Sequence, residues 1–124
     1  MTKPLALIFY ERLMPGSQLV NRLQDLGYRV STCTDIAGLQ SQVEKELPMV
    51  MVMDLTSERG DVNGAIKEIR ANEQTSHIPI IAFAAKTNKA AQNAAVEAGA
   101  KLVAIDDAVL VQLPHLLEQA LEVD

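Results

Sequence analysis

Acidic side chains follow three apolar runs that the sequence predicts to be strands. Glu11 comes shortly after the first run, while Asp54 and Asp106 directly follow the third and the fifth. In an open parallel sheet the carboxyl ends of the strands form one edge, where ligands bind. Carboxylate oxygens suit a divalent cation such as Mg²⁺. The pair Glu11 and Asp54 therefore forms a candidate metal site with Asp106 as a further ligand, although acids at strand ends can also be solvated or cap a helix.

Other residues with catalytic potential lie in the wrong places for a reaction centre. His77 precedes the predicted fourth strand and His115 falls on the last predicted helix, so neither is at the carboxyl edge where acid–base catalysis would need it. Residues 15–17 do not form a glycine-rich phosphate loop. The sequence predicts a protein that is not an enzyme and has no required cofactor.

Composition excludes several other functions. The 124 residues suit one domain over residues 1–124, and the net charge of −5 argues against nucleic-acid or anionic-membrane partners. No apolar stretch is long enough to span a membrane, and the start, residues 1–4, has no signal-peptide pattern. Cys33 is the single cysteine, which favours a reduced cytoplasmic location.

Five apolar runs alternate with segments of helical periodicity. This alternation predicts a parallel sheet covered by helices on both faces. The predicted strands are residues 5–9, 28–33, 49–53, 78–84 and 102–105, with the second near an edge and the third central. The predicted helices begin near Pro15 and Thr34 or Asp35, cover residues 62–72 and 88–98, and end with residues 113–122.

Two prolines and one leucine give more detailed predictions of where the helices begin and end. Pro15 suits the first turn of the first helix, and Pro114 is expected in the first turn of the last helix because a proline inside a helix costs about 3 kcal/mol. Leu47 is expected on the inner stripe of the second helix, which Pro48 ends.

Four stretches, in this order and spacing, resemble the response-regulator receiver family over essentially the whole chain. They are residues 26–28, 48–55, 78–81 and 97–100. The resemblance implies a flavodoxin-like α/β fold with strand order 2-1-3-4-5, and a part in two-component, phosphorelay signal transduction. It also places Asp54 at the phosphoacceptor position.

The family's chemistry does not carry over at every position. Members usually have two acids after the first strand, where this chain has Tyr10 and Glu11, so one metal ligand is missing. The hydroxyl residue that ends the family's fourth strand is replaced by Ala84, and the aromatic switch residue on the fifth strand by Val103.

Charge at the end of the fifth strand departs furthest from the family. The conserved lysine is replaced by Asp106, and the Met-Pro pair after the phosphoacceptor by Ser57 and Glu58. Two unit charges about 4 Å apart interact by about 4 kcal/mol at an effective dielectric of 20, so replacing a cation with Asp106 should disfavour a phosphoryl group on Asp54. Lys86 is a candidate compensating cation.

These departures predict a pseudo-receiver, a module that binds signalling proteins without a phosphorylation switch. Its partners would be a histidine kinase or an output protein, and a homodimer through the fourth helix, fifth strand and fifth helix is a further expectation. One alternative is an atypical receiver that a histidine kinase still phosphorylates at Asp54. A second is a flavodoxin-like module that binds a small ligand.

Overall fold

The computed structural model describes residues 3–56 and 60–121. Five parallel strands form one sheet in the order β2-β1-β3-β4-β5. The strands are β1 (Leu5–Phe9), β2 (Arg29–Cys33), β3 (Val50–Asp54), β4 (Ile80–Ala84) and β5 (Leu102–Ile105). The helices are α1 (Leu13–Asp25), α2 (Leu39–Glu46), α3 (Val62–Ala71), α4 (Lys89–Ala98) and α5 (Asp106–Ala120). The predicted fold class and strand order are confirmed, including the edge position of β2 and the central position of β3.

Helices cover both faces of the sheet. Successive side chains of a strand point to opposite faces, so Leu7 and Met51 pack with α2, α3 and α4, whereas Ile8 and Val52 pack with α1 and α5. The strands are consequently apolar at consecutive positions, and this fully buried pattern made them recognisable in the sequence. Among the side chains of β1, β3 and β4, only Asp54, at the end of β3, is polar.

The last helix begins seven residues earlier than the sequence suggested. α5 starts at Asp106, directly after β5, and Pro114 lies inside it rather than in its first turn. The expected start at residue 113 is therefore wrong. Val109 and Leu113 continue a buried stripe along the helix, and burying such side chains contributes about 1.5–3 kcal/mol each, which offsets the cost of the proline.

The predicted start of the first helix is confirmed in a more detailed form. α1 is assigned from Leu13, but Met14 has non-helical backbone angles (φ −110°, ψ 124°), so continuous helix begins at Pro15. Leu47 differs from expectation, because it lies past the end of α2 in the left-handed region (φ 45°) and is 52% exposed. A leucine there does not contribute to the inner stripe of the helix.

Within residues 3–56 and 60–121, no helix has the length and apolar character needed to cross a bilayer.

Candidate functional site

The parallel register brings four predicted site residues to the carboxyl edge of the sheet. Phe9 pairs with Met53, and Asp54 pairs with Phe83. The next residues along each strand therefore emerge side by side at this edge. They are Tyr10 after β1, Asp54 at the end of β3, Ala84 at the end of β4 and Asp106 after β5.

Asp54 is fully buried, and both of its carboxylate oxygens accept hydrogen bonds. Oδ2 accepts from Nε of Arg12 at 2.7 Å, and Oδ1 accepts from Nη2 of Arg12 at 2.7 Å. Oδ1 also accepts from the backbone N–H of Thr56 at 2.9 Å. A guanidinium that donates two parallel bonds to one carboxylate is among the strongest ion-pair geometries in proteins. The buried charge of Asp54 is thus compensated by a cation from its own chain.

The same guanidinium also reaches Asp106. Nη1 and Nη2 of Arg12 donate to the two carboxylate oxygens of Asp106 at 3.3 and 3.4 Å. These bonds are longer than those to Asp54, and the Asp106 side chain is 19% exposed whereas that of Asp54 is fully buried. We call the group formed by Arg12, Asp54 and Asp106 the Arg12 clamp.

The pKa of Arg12 reflects this environment. Hydrogen bonds to Asp54, and more weakly to Asp106, raise the pKa of the guanidinium above its ordinary value, although burial acts in the opposite direction. Arg12 therefore stays protonated throughout the pH range in which the protein is folded.

Local backbone structure places Arg12 where it can cross the edge. Arg12 precedes α1 in an extended conformation (φ −90°, ψ 122°) and makes no side-chain cap, so its side chain is free to point away from the helix. Asp106 lies in the first turn of α5, where the helix dipole favours a negative charge. The clamp therefore connects the β1–α1 connection, the end of β3 and the start of α5.

The other predicted positions have packing roles or lie away from Asp54. Tyr10 is half-buried against the α1–α5 side of the sheet, where a Cβ added to Gly16 would lie 2.4 Å from its ring. Ala84 is buried, and Val103 packs against the α2–α4 core. Lys86 is exposed after β4. Within residues 3–56 and 60–121, Asp54 forms its ion pair with Arg12 and not with Lys86.

No protein-family model matches the sequence, and no curated protein does. Solved structures match over nearly the whole chain. A predicted response regulator from Chloroflexus aurantiacus superposes with a TM-score of 0.90 at 22% identity, covering 97% of this chain and 98% of that one. The receiver domain of a sensor histidine kinase from Pseudomonas aeruginosa, with magnesium coordinated in its active-site cleft, gives 0.87 at 22% identity, with coverage of 97% and 98%. The chain has the fold of a response-regulator receiver domain. A third match, NtrX from Brucella abortus (TM-score 0.85, 18% identity), aligns with 97% of this chain but 27% of that longer protein.

The receiver fold raises the question of a Mg²⁺ ion, and the residues of this site do not fit one. Among the described residues, no group of three or more His, Cys, Asp or Glu side chains could hold a metal. Glu11 and Asp54, the predicted ligand pair, do not suit Mg²⁺ in this arrangement because both oxygens of Asp54 already accept from Arg12. An added cation would also be repelled by the guanidinium, by about 4 kcal/mol per unit charge at 4 Å.

Sequence reasoning missed Arg12, although the sequence contained a signal. Three acids were predicted at one edge of the sheet, and Arg12 directly follows one of them, Glu11, in the chain. The search for a substitute went to Lys86, because that residue also follows a strand. The predicted replacement at Ser57 and Glu58 lies outside the described residues.

Proposed function

We propose that this chain is a pseudo-receiver, a module of two-component or phosphorelay signalling that acts by protein contacts and without phosphorylation of Asp54. The observation that carries the proposal is the bidentate ion pair between Arg12 and the fully buried Asp54. In a receiver fold this carboxylate would have to attack a phosphoryl group. Here its oxygens are hydrogen-bond acceptors for a fixed guanidinium.

The electrostatic requirements of phosphoryl transfer support this proposal. Such transfer depends on positioning and on cations that neutralise the developing charge, with little covalent chemistry left to the protein. Arg12 is a single positive charge already shared between Asp54 and Asp106. A phosphoryl group on Asp54 would add negative charge beside Asp106, with Ala84 offering no hydroxyl as a donor. The transfer is therefore disfavoured both in rate and in the stability of its product.

The residues that would relay a switch also support a fixed module. A two-state relay needs an element whose equilibrium the modification shifts. Val103 at the proposed switch position is aliphatic and packs against the α2–α4 core, and Ala84 is buried. These two positions therefore provide neither an aromatic ring that could change its rotamer nor a hydroxyl that could hydrogen-bond a phosphoryl group.

The proposed partners are signalling proteins, either a histidine kinase or an output protein, and not nucleic acid or membrane. We assign the contact face to α4, β5 and α5 by analogy with receiver folds in general. Val96 on α4 is an exposed apolar side chain, which suits a protein contact. The proposal also includes a non-enzymatic role, a cytoplasmic location and no required cofactor.

Beryllofluoride with Mg²⁺ tests this proposal, because it mimics a phosphoryl group on an aspartate. We expect the amide NMR signals of residues 54–56, 84 and 106 to stay unchanged when both are added to the wild-type chain. A functional receiver domain under the same conditions is the positive control. Saturable shifts around Asp54, or a stable acyl phosphate after incubation with a small phosphodonor, would instead establish the alternative, an atypical receiver phosphorylated at Asp54.

A further inference from the structure

β2 forms one open edge of the sheet. The N–H of Arg29 and the carbonyl of Cys33 form hydrogen bonds with the residues directly before and after β1. The backbone groups of successive residues in a strand point to alternate sides, so Val30 and Thr32 direct theirs away from β1. In the part of the chain that the structure describes, no strand pairs with this side of β2. An open edge of this kind is a template for another extended chain.

A glutamine side chain occupies the centre of this edge. Nε2 of Gln42, on α2, donates to the carbonyl of Thr32 at 3.2 Å, in the place of an N–H from a neighbouring strand. Nε2 also donates to Oγ of Ser31 at 2.8 Å, and that hydroxyl donates to Oε1 of Glu46 at 2.6 Å. We call the group formed by Ser31, Gln42 and Glu46 the Gln42 clasp. A side-chain amide carries the same N–H donor as a peptide group, so the clasp takes the acceptor that an incoming strand would need.

The charges beside this edge favour a second copy of the chain as the strand that would pair with it. In an antiparallel register with Thr32 opposite its own counterpart, Val30 lies opposite Thr34, and the outward backbone groups face each other. Arg29 then lies opposite Asp35 of the second copy, and the two-fold axis repeats this pair. Both side chains are exposed, and the backbone of Asp35 is extended (φ −127°, ψ 110°), as the pairing requires. Opposite charges on directly facing residues stabilise an antiparallel pair.

We infer that the open edge of β2 is a self-association surface and that the Gln42 clasp keeps it closed. Two copies would join their sheets edge to edge, with Thr32 at the two-fold axis. The clasp occupies the central acceptor in both copies, so the amide of Gln42 must leave Thr32 before the strands can pair. This surface lies at the opposite edge of the sheet from β5, and it does not depend on the chemistry of Asp54.

Hydrogen exchange of backbone amides, measured by NMR at increasing protein concentration, tests this inference. Gln42→Ala frees the carbonyl of Thr32. We expect this variant to self-associate about tenfold more tightly than the wild type, because one competing bond is removed from each copy and each is worth a factor of several. The amides of Val30 and Thr32 should therefore exchange more slowly as the concentration rises from micromolar to millimolar. Exchange in Gln42→Ala that is independent of concentration would refute the inference.

Gln92→Ala is the matched control. Nε2 of Gln92, on α4, donates to the carbonyl of Ala85 at 2.9 Å, so this variant removes the same kind of bond away from β2. The amides of Val30 and Thr32 should exchange as in the wild type. Gln42→Met keeps the length of the side chain without its donor and should behave like Gln42→Ala. It takes the place of Gln42→Ala should that variant fail to fold.

Two further changes, made in the Gln42→Ala background, test the edge and the second copy. Thr32→Pro removes an N–H that faces away from β1, so it leaves the β1–β2 ladder intact and should abolish the slowing at Val30. Arg29→Glu should weaken the association, since it would face Asp35 of the second copy with a like charge.

The outcomes separate this inference from the other proposals. Slowing at Val30 that survives Thr32→Pro, or that appears equally in Gln92→Ala, would contradict pairing through β2. The amides report on β2 itself, so association through another face does not produce the expected result. The pseudo-receiver proposal is tested independently by the beryllofluoride experiment with the wild-type chain.

Discussion

Arg12 decides the character of the site because it compensates a carboxylate that the fold buries completely. Removing one partner of a buried ion pair leaves an uncompensated charge and costs about 3–5 kcal/mol, whereas removing both costs less. Arg12 is partly exposed, so water can enter after its removal and the cost should lie at or below the lower end of this range. The clamp should therefore be visible as a strong energetic coupling between two side chains.

A double-mutant cycle measures that coupling. We expect Arg12→Met to lower the free energy of unfolding by roughly 2–3 kcal/mol, and the double variant Arg12→Met/Asp54→Asn to be less destabilised than the sum of its single changes. Urea unfolding of the four proteins gives the values. Arg22→Met is the control and should change stability by no more than about 0.5 kcal/mol. Additive single changes would show that the ion pair contributes nothing of its own.

Helix ends show how strongly tertiary packing shapes the elements of this chain. α5 contains Pro114 because its buried stripe continues on both sides of the proline. Leu47, directly after α2, has a left-handed conformation, which costs a side-chain-bearing residue about 1–2 kcal/mol. The leucine recovers little of that cost through burial, since about half of its surface is exposed.

Leu47→Gly should therefore stabilise the protein. Glycine adopts a positive φ without strain, but it gains more freedom in the unfolded chain, so we expect a net increase of about 0.5–1 kcal/mol in the free energy of unfolding. Thermal and urea unfolding provide the measurement. Leu47→Ala is the control, because alanine keeps the Cβ and should give no such gain. An equal effect of both substitutions would point to the lost leucine side chain and not to backbone strain.

At the scale of the molecule, residues 3–56 and 60–121 form one sheet with a mainly aliphatic core cluster on each face, and a few apolar side chains are exposed. Val111 on α5 is 82% exposed and Val96 on α4 is 59% exposed. Val96 lies on a helix of the face that we propose for partners and for a homodimer, whereas Val111 lines a cleft with residues of α1. Met49, which is 50% exposed before β3, lies outside that face and provides a comparison.

Light scattering at increasing protein concentration tests the homodimer. We expect the wild type to approach twice the monomer mass and Val96→Lys to remain monomeric, because a buried lysine charge opposes association. Met49→Lys should associate like the wild type. A chain that stays monomeric at millimolar concentration, or a dimer that survives Val96→Lys, would contradict this interface.

Sequence reasoning was most successful where local patterns determine structure. Strands buried on both faces must be continuously apolar, so β1, β3 and β4 were evident, and the alternation with helices gave the layered parallel sheet. Asp54 could be placed at the carboxyl edge because it directly follows such a strand. Boundaries were less accurate where packing outweighed local preference, as at Pro114 in α5 and Leu47 after α2.

The residue types at the end of each strand were determined by the sequence alone, including Tyr10, Ala84 and Asp106 at the carboxyl edge. The tertiary structure decided what replaced them. Arg12 meets Asp54 and Asp106 only after β1, β3 and β5 have been brought into one sheet and the backbone before α1 has adopted an extended conformation. Arg12 is separated from Asp54 by 42 positions in the sequence and from Asp106 by 94. Contacts over such separations produce no periodic pattern in the sequence, because their energy depends on the distance between charges in the folded chain.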